Sequence, residues 1–288
     1  MEKYLNQFVA DCFTISDMAF NFFKHYASKI CFKFLDLFLV KIRPKLPADL
    51  SISRNLFIYF DYEREFGGHK TEIGDNDILH LLELLQKHSL KTTWFVVGRI
   101  FEKYPNSIKM ILEKGHEIGS HTFSHITPLN ESRDVLSRDF KDFSVHSAPF
   151  GEVYGFHAPR SRWAYKMFKY LFRYNFKYDI IGVKKGKQYS PFFLYLKPYR
   201  KILRFHIIDD DWIFFRDNIK DEKTVFDYLL SLSKYIKQGE FGGIGFHPWI
   251  LFSDPNILKG FDRFIGYLRK QPDIKLDTIY NYYNKLKK

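Results

Sequence analysis

A chain of 288 residues with 45% hydrophobic content is long enough for one large domain plus an extra segment, and too apolar for a disordered protein. Lys and Arg outnumber Asp and Glu by 45 to 33, giving a formal charge of +12, and Phe and Tyr number 32 and 19. That basic, aromatic-rich balance suits an anionic partner, either phospholipid headgroups or nucleic acid, while two cysteines, Cys12 and Cys31, exclude a disulfide scaffold or a cysteine zinc site.

The first elements are helical and amphipathic. Glu2, Lys3, Asp11 and Asp17 interrupt the amino terminus, so no cleavable signal is expected, and charges break every apolar run short of a membrane span. Over residues 18–40 the helical wheel separates Asn21, Lys24, His25, Lys29, Lys33 and Asp36 from Phe20, Phe23, Tyr26, Ile30, Phe34, Leu37 and Phe38. A mostly basic polar face opposite an apolar one fits a helix lying in a membrane interface, or one packed on the outside of a domain. Pro44 and Pro47 then read as a linker, which divides the chain into an N-terminal helical segment, 1–50, and a catalytic domain, 51–288.

From residue 51 apolar strand-like runs alternate with helical patterns. Leu56 to Phe60 reads as a buried strand ending at Asp61; Gly67-Gly68 marks a loop; Asp75 stands as a helix cap before Ile78, Leu81, Leu82 and Leu85. Thr92 to Val97 is the next strand, a helix opens at Pro105 and stops at Gly115, and Gly115 to His125 follows. Residues 131–143 and 162–174 have helical spacing, as do about 222–238 and 257–270. Tyr154 to His157, Ile180-Ile181, Leu203 to Ile208 and Gly243 to Phe246 complete the strands. Such β-then-α units predict an α/β fold with a parallel sheet, closed as a distorted (β/α) barrel of about seven strands. In a barrel the chemistry gathers where strands end, and Asp61, His121, His157 and His247 each follow an apolar run directly.

Three of those strand ends carry patterns suited to hydrolysis. Side chains two apart on an extended backbone share a face, so Asp61 and Glu63 can reach one pocket, one to bind a metal and the other to accept a proton from water. His121 and His125 stand four apart, a spacing that lets one helical turn aim both rings at one ion. Alone, the pair fits equally a capping imidazole and a satisfied core histidine. His247, followed by Pro248 and Trp249, is placed for general acid work near neutral pH, and Trp249 offers an apolar wall for a sugar ring or acyl group.

Taken together, the carboxylate pair, the His-x-x-x-His and the later His-Pro-Trp resemble the polysaccharide deacetylase family over about residues 56–250. The resemblance implies a metal-dependent N-deacetylase using a divalent ion, usually zinc. It assigns Asp61 as the base acting on water, His121 and His125 as metal ligands, and His247 as the acid that protonates the leaving amine. Two positions depart from the family pattern. Tyr62 replaces the second of two adjacent aspartates, so Glu63 becomes the metal carboxylate, with Asp61 as the alternative ligand. His157 stands where an arginine orients the base, so either His157 does that work or Arg160 reaches back. Asp209-Asp210-Asp211-Trp212 falls where the family has an acid and a tryptophan completing the site, which puts Trp212 beside Trp249 as a substrate contact.

Between Arg162 and Arg204 cations and aromatics crowd around a single acid, Asp179. The alternation Phe168, Tyr170, Phe172, Tyr174, Phe176, Tyr178 with interleaved Lys169, Arg173 and Lys177 suits a membrane interface better than nucleic acid. With the N-terminal helix, it directs the expectation to a lipid-linked amino sugar. The chain is similar to bacterial deacetylases of undecaprenyl-phosphate N-acetylhexosamine, such as N-acetylgalactosamine, in lipid A modification. The partners expected are that substrate and an anionic phospholipid surface, with no nucleic acid, at the cytoplasmic face of the inner membrane. A peptidoglycan or exopolysaccharide deacetylase is the alternative, and a non-catalytic membrane-binding relative is the third reading.

Overall fold

The computed structural model describes residues 40–69, 71–182, 189–197 and 200–287. The amphipathic helix expected over 18–40 lies outside these residues apart from Val40. Among the described residues no helix is long and apolar enough to cross a membrane.

Ten strands are present there: β1 (Val40–Ile42), β2 (Arg54–Tyr62), β3 (Thr93–Val96), β4 (Glu117–Ser120), β5 (Gly155–His157), β6 (Tyr178–Gly182), β7 (Phe192–Lys197), β8 (Arg200–Asp210), β9 (Phe241–Phe246) and β10 (Ile274–Leu276). Seven close a barrel in the order β2, β3, β4, β5, β6, β8, β9 and back to β2, and every pair in that ring is parallel. The seven-stranded barrel expected from the alternating pattern is therefore the architecture. Three short strands decorate it. β7 runs antiparallel along the first half of β8, β1 joins β7, and β10 pairs with the first residues of β2.

Closure makes the strands buried on both faces, and β2 shows how the residues divide. Phe57 and Tyr59 point into the barrel with Phe95, Tyr178, Ile180, Phe205 and Ile207. Leu56, Ile58, Phe60 and Tyr62 point out beneath α1 (Asp75–Lys87), α2 (Arg99–Lys103) and α3 (Pro105–Glu113). Around the wall follow α4 (Arg133–Ser147), α5 (Phe168–Arg173), α6 (Glu222–Ser233) and α7 (Pro255–Arg269). The helix starts use side-chain caps: Ser132 accepts from Val135 N–H, Asp221 from Thr224 N–H and Asp254 from Asn256 N–H. At α1 the cap is Gly74 and not Asp75, with the Asp77 carboxylate accepting the Gly74 N–H.

The aromatic alternation from Phe168 to Tyr178 is not a membrane-facing stripe. Phe168 and Tyr178 are fully buried and Tyr170 and Phe176 nearly so; Lys169 and Arg173 are exposed. The reason is a change of period inside the run: residues 168–173 form α5, stacked on Phe140 of α4, whereas Tyr178 opens β6 and fills the barrel. Arg204, counted with the basic face, is likewise inside the protein, paired with Asp179.

The amino-terminal end of the barrel is stopped by α8 (Ile279–Leu286), whose Ile279, Tyr282 and Leu286 join the interior cluster. Its first amides are received by the sheet: Ile279 N–H donates to Thr93 Oγ1 (3.1 Å) and Tyr280 N–H to Glu117 Oε2 (3.0 Å). Glu117 also accepts from Thr93 Oγ1 (2.7 Å) and from the Tyr178 hydroxyl. Burial outweighs these donors and pushes the Glu117 carboxyl up to about 7. A carboxyl raised above its unfolded value stabilises the fold fully below about pH 4.5, and that contribution fades as pH rises through 7. Thermal unfolding from pH 4.5 to 8 is expected to show this loss, on the order of 3 kcal/mol, in the natural chain and a flatter profile in Glu117→Gln. Parallel profiles for the two would refute the assignment.

Candidate active site

All seven barrel strands end on the face opposite α8, and the polar residues following them converge there. Asp61 continues the inward column of Phe57 and Tyr59 and is 5% exposed. Glu63 lies just past the strand, where the chain turns out of extended geometry (φ −114°, ψ −35°) and into a left-handed Arg64 (φ 48°). Arg64 is held there by its guanidinium over the Tyr104 ring (3.8 Å), by donation from Nε to the Tyr62 hydroxyl (2.7 Å) and by an ion pair with Asp75. Gly67 makes the room: a β-carbon on it would sit 2.2 Å from Glu63 Oε2. Any side chain at position 67 would therefore push that carboxylate out of its place.

His121 follows β4 directly, and its Nδ1–H donates to the His157 carbonyl (2.9 Å). A carbonyl can only accept, so the proton is on Nδ1 and the Nε2 lone pair faces Glu63 Oε1 at 3.4 Å. His125 Nε2 lies 3.0 Å from the same oxygen and is buried with no hydrogen bond. The two rings meet through an irregular turn and not the helical turn expected from their spacing, since Thr122 (φ 64°) and His125 (φ 55°) are both left-handed.

Glu63, His121 and His125 place one ligand atom each within 4.8 Å of one another, and so do Asp61, His121 and His157. Proton positions separate the two sets. In the second, the near atoms are His121 Nδ1 and His157 Nδ1, both of which carry protons donated to fixed acceptors. In the first, His121 Nε2 has its lone pair free and His125 Nε2 has no other partner. Two imidazoles and a carboxylate form a donor set suited to zinc and similar divalent ions, with coordination positions to spare. The residues present fit the ion.

Asp61 Oδ1 accepts from His157 Nδ1–H (2.9 Å), and His157 Nε2 in turn accepts from the Ser161 hydroxyl (3.1 Å). Of the two candidates for orienting Asp61, the structure places His157 against it; Arg160 is exposed, in a left-handed turn (φ 59°). Burial works to raise the Asp61 carboxyl, but the imidazoles of His157, His121 and His247 outweigh it and hold the pKa below its usual value. Glu63 is lowered further against the same burial, by His247, His121 and His125.

Across the pocket His247 ends β9 with Nε2 3.9 Å from Asp61 Oδ2 and 3.7 Å from Glu63 Oε1. Its Nδ1–H donates to Asp211 Oδ1 (2.7 Å) and its backbone N–H to Asp211 Oδ2 (2.8 Å). Asp211 has no exposed surface, and burial pushes it up to about 6 despite the opposing pull of His247. Burial alone would lower the imidazole; Asp211 and Glu63 reverse that and raise it well above its ordinary value. Both carboxylates thus favour the protonated ring, whose Nε2 faces the pocket.

Trp212 and Trp249 flank His247 with ring centroids 6.0 and 6.1 Å away, and His69 stacks on Trp249 at 5.1 Å. Ser161 and His69 had no assigned role in the sequence, and for Asp211 the resemblance implied only an acid somewhere in the run Asp209-Asp210-Asp211. Asp211 was visible only as one of three consecutive aspartates, while Ser161 and His69 lie in loops with no periodic signal.

The comparisons with known proteins come to the same region. Residues 67–147 match the family model described as polysaccharide deacetylase, a span that holds His121 and His125. A peptidoglycan deacetylase of Helicobacter pylori is 34% identical over 113 residues, 37% of this chain and 37% of that protein. A peptidoglycan-N-acetylglucosamine deacetylase of Bacillus cereus is 36% identical over 62 residues, 22% of this chain and 29% of its own length. The chain thus spans 37% and 29% of the length of these two curated relatives. A crystal structure described as a putative polysaccharide deacetylase from Mycobacterium smegmatis superposes with TM-score 0.71 over 86% of this chain and 95% of that one. At 17% identity it establishes the shared fold.

Proposed function

We propose that the chain is a metal-dependent carbohydrate N-deacetylase, which hydrolyses the acetamide of a cell-wall amino sugar of the peptidoglycan class. One observation carries the reading. His121 Nε2, with its lone pair free, and His125 Nε2, with no hydrogen bond, meet Glu63 Oε1 at one point, with the carboxylate of Asp61 on one side and the Asp211-backed imidazole of His247 on the other. Amide hydrolysis needs those three functions together.

Glu63, His121 and His125 would hold the divalent ion, which when bound supplies a Lewis acid for the acyl oxygen and lowers the proton affinity of the attacking water. Asp61 is the base. With Oδ1 held by His157, its carboxylate is fixed in position to accept the water proton while the water oxygen bonds to the acyl carbon. As the C–N bond breaks, His247 Nε2–H gives its proton to the departing nitrogen, so acetate and a free amine leave together. Asp61 Oδ2 and His247 Nε2 lie 3.9 Å apart, beyond direct hydrogen-bond reach, so the captured proton returns to the acid through one water for the next cycle. Trp212 and Trp249 supply apolar walls beside the acid, suited to a sugar face or the acetyl methyl.

The curated relatives support peptidoglycan over the lipid-linked substrate. Burial of Phe168, Tyr170, Phe176 and Tyr178 takes away part of what favoured a lipid carrier. A membrane-surface partner for the segment 18–40 is kept as part of the proposal and is tested by flotation of the full chain with anionic vesicles.

The deciding assay is acetate release and product mass from N-acetylglucosamine oligomers, peptidoglycan fragments and undecaprenyl-phosphate N-acetylhexosamine, with and without added Zn2+. Loss of 42 mass units per sugar, on the order expected for one acetyl group, is anticipated on the glycan substrates, with none in His125→Ala or after chelation. Turnover of the lipid-linked sugar alone would restore the lipid A reading. Bound metal without turnover of any substrate would sink the deacetylase proposal.

A further inference from the structure

The turn that carries the two imidazoles is held in an unusual way. Thr122 and His125 are both in the left-handed region, where non-glycine residues persist only when their surroundings over-determine them. The backbone of the turn is fastened from two sides. On one side its carbonyls accept: Thr122 O takes the Gly98 N–H (2.9 Å) and Phe123 O the Arg99 N–H (3.1 Å), both from the start of α2. Gly98 is needed for that approach, since a β-carbon there would lie 2.5 Å from the Phe123 ring and 2.9 Å from its α-carbon.

On the other side stands one carboxylate. Asp139, in the second turn of α4 and only 5% exposed, accepts the Phe123 N–H on Oδ1 (2.8 Å) and the Ser124 N–H on Oδ2 (2.9 Å). Both of its oxygens are thus committed to the two residues midway between the ligands. The geometry points to Asp139 as a positioning residue, which fixes the spacing and aim of His121 and His125 by gripping the backbone between them. It touches neither the ion nor the reacting atoms. This inference rests on reading Glu63, His121 and His125 as a metal site. The physical argument is preorganisation: without the grip, the two amides turn to water, the left-handed pair relaxes, and His125 no longer meets His121 at a common point.

The test compares Zn2+ affinity, by chelator competition on the full chain, for the natural protein, Asp139→Ala and Asp139→Asn. Co2+ absorption and the melting temperature of the metal-stripped proteins are measured beside it. Asp139→Ala is expected to weaken Zn2+ binding by roughly 10- to 100-fold and to alter the Co2+ spectrum. Asp139→Asn keeps one accepting oxygen and is expected to recover part of the affinity, a rescue that simple loss of stability would not produce. A folded Asp139→Ala that binds Zn2+ like the natural chain, with an unchanged Co2+ spectrum, would overturn the inference. If Asp139→Ala does not fold, unchanged affinity in Asp139→Asn overturns it equally. Failure of the natural chain to bind Zn2+ removes the metal reading itself, before any Asp139 variant is compared.

Discussion

Replacing Asp61 by Asn is expected to slow deacetylation by about 10²- to 10⁴-fold while leaving the metal in place. The amide keeps the shape of the carboxylate and can still accept the His157 Nδ1–H through its oxygen, so the pocket is preserved. What it cannot do is take a proton from water. With Glu63, His121 and His125 proposed as the ligands and Asp61 Oδ1 taken up by His157, metal stoichiometry should match that of the natural chain. The check is kcat together with bound metal by elemental analysis. If Asp61→Asn loses the metal, Asp61 is itself a ligand and the division of labour with Glu63 is wrong. If it keeps both metal and rate, the base lies elsewhere.

The second large effect concerns stability. Asp179→Ala is expected to cost about 3–5 kcal/mol, because it strands the Arg204 guanidinium inside the protein. Asp179 has no exposed surface and Arg204 is 8% exposed; Nε donates to Oδ1 at 3.0 Å, and the guanidinium also lies over the Trp163 ring at 4.2 Å. Such a pair contributes less by its own attraction than its halves cost when separated. The double change Asp179→Leu with Arg204→Met should therefore recover most of the loss in denaturant unfolding. A double variant no better than Asp179→Ala would mean that the site tolerates no apolar filling, and the cost would then be one of packing.

Much of this was legible in the residues alone. A parallel barrel writes itself as short apolar runs, since each strand is buried on both faces, and polar residues ending those runs mark the catalytic rim. Hence Asp61, Glu63, His121, His125, His157 and His247 stood out and the structure brings them together. The aromatic stripe misled because alternation at period two was followed across a helix and a strand as if it were one face. Asp211 was hidden for a different reason. β8 has an irregular register between Ile207 and Asp209, so Ile208 and Asp209 both face the helices, with Asp209 accepting from Tyr228 (2.6 Å). The bulge resets the alternation just before the three aspartates, and nothing in their spelling says which one turns inward. Asp139 looked like any acid on an amphipathic helix, because the grip it exerts is on backbone amides, which carry no sequence signature.

The pairing of β2 has a consequence for how the chain comes to be folded. β2 forms early in the sequence, yet one edge of it waits for β9, with Asn55 opposite Phe241 and Phe60 opposite Phe246. Contacts this distant along the chain are slow to form, because a long loop must close before they repay its ordering. During synthesis the Asp61 strand therefore carries a bare apolar edge until most of the polypeptide has emerged, a period in which edge-to-edge association competes with closure. Glu63 and the His121–His125 turn sit on strands separated only by β3, so their half of the rim can assemble first. His247, the proposed acid, arrives with the last barrel strand, so the proposed site is completed at the moment the aggregation-prone edge is sealed.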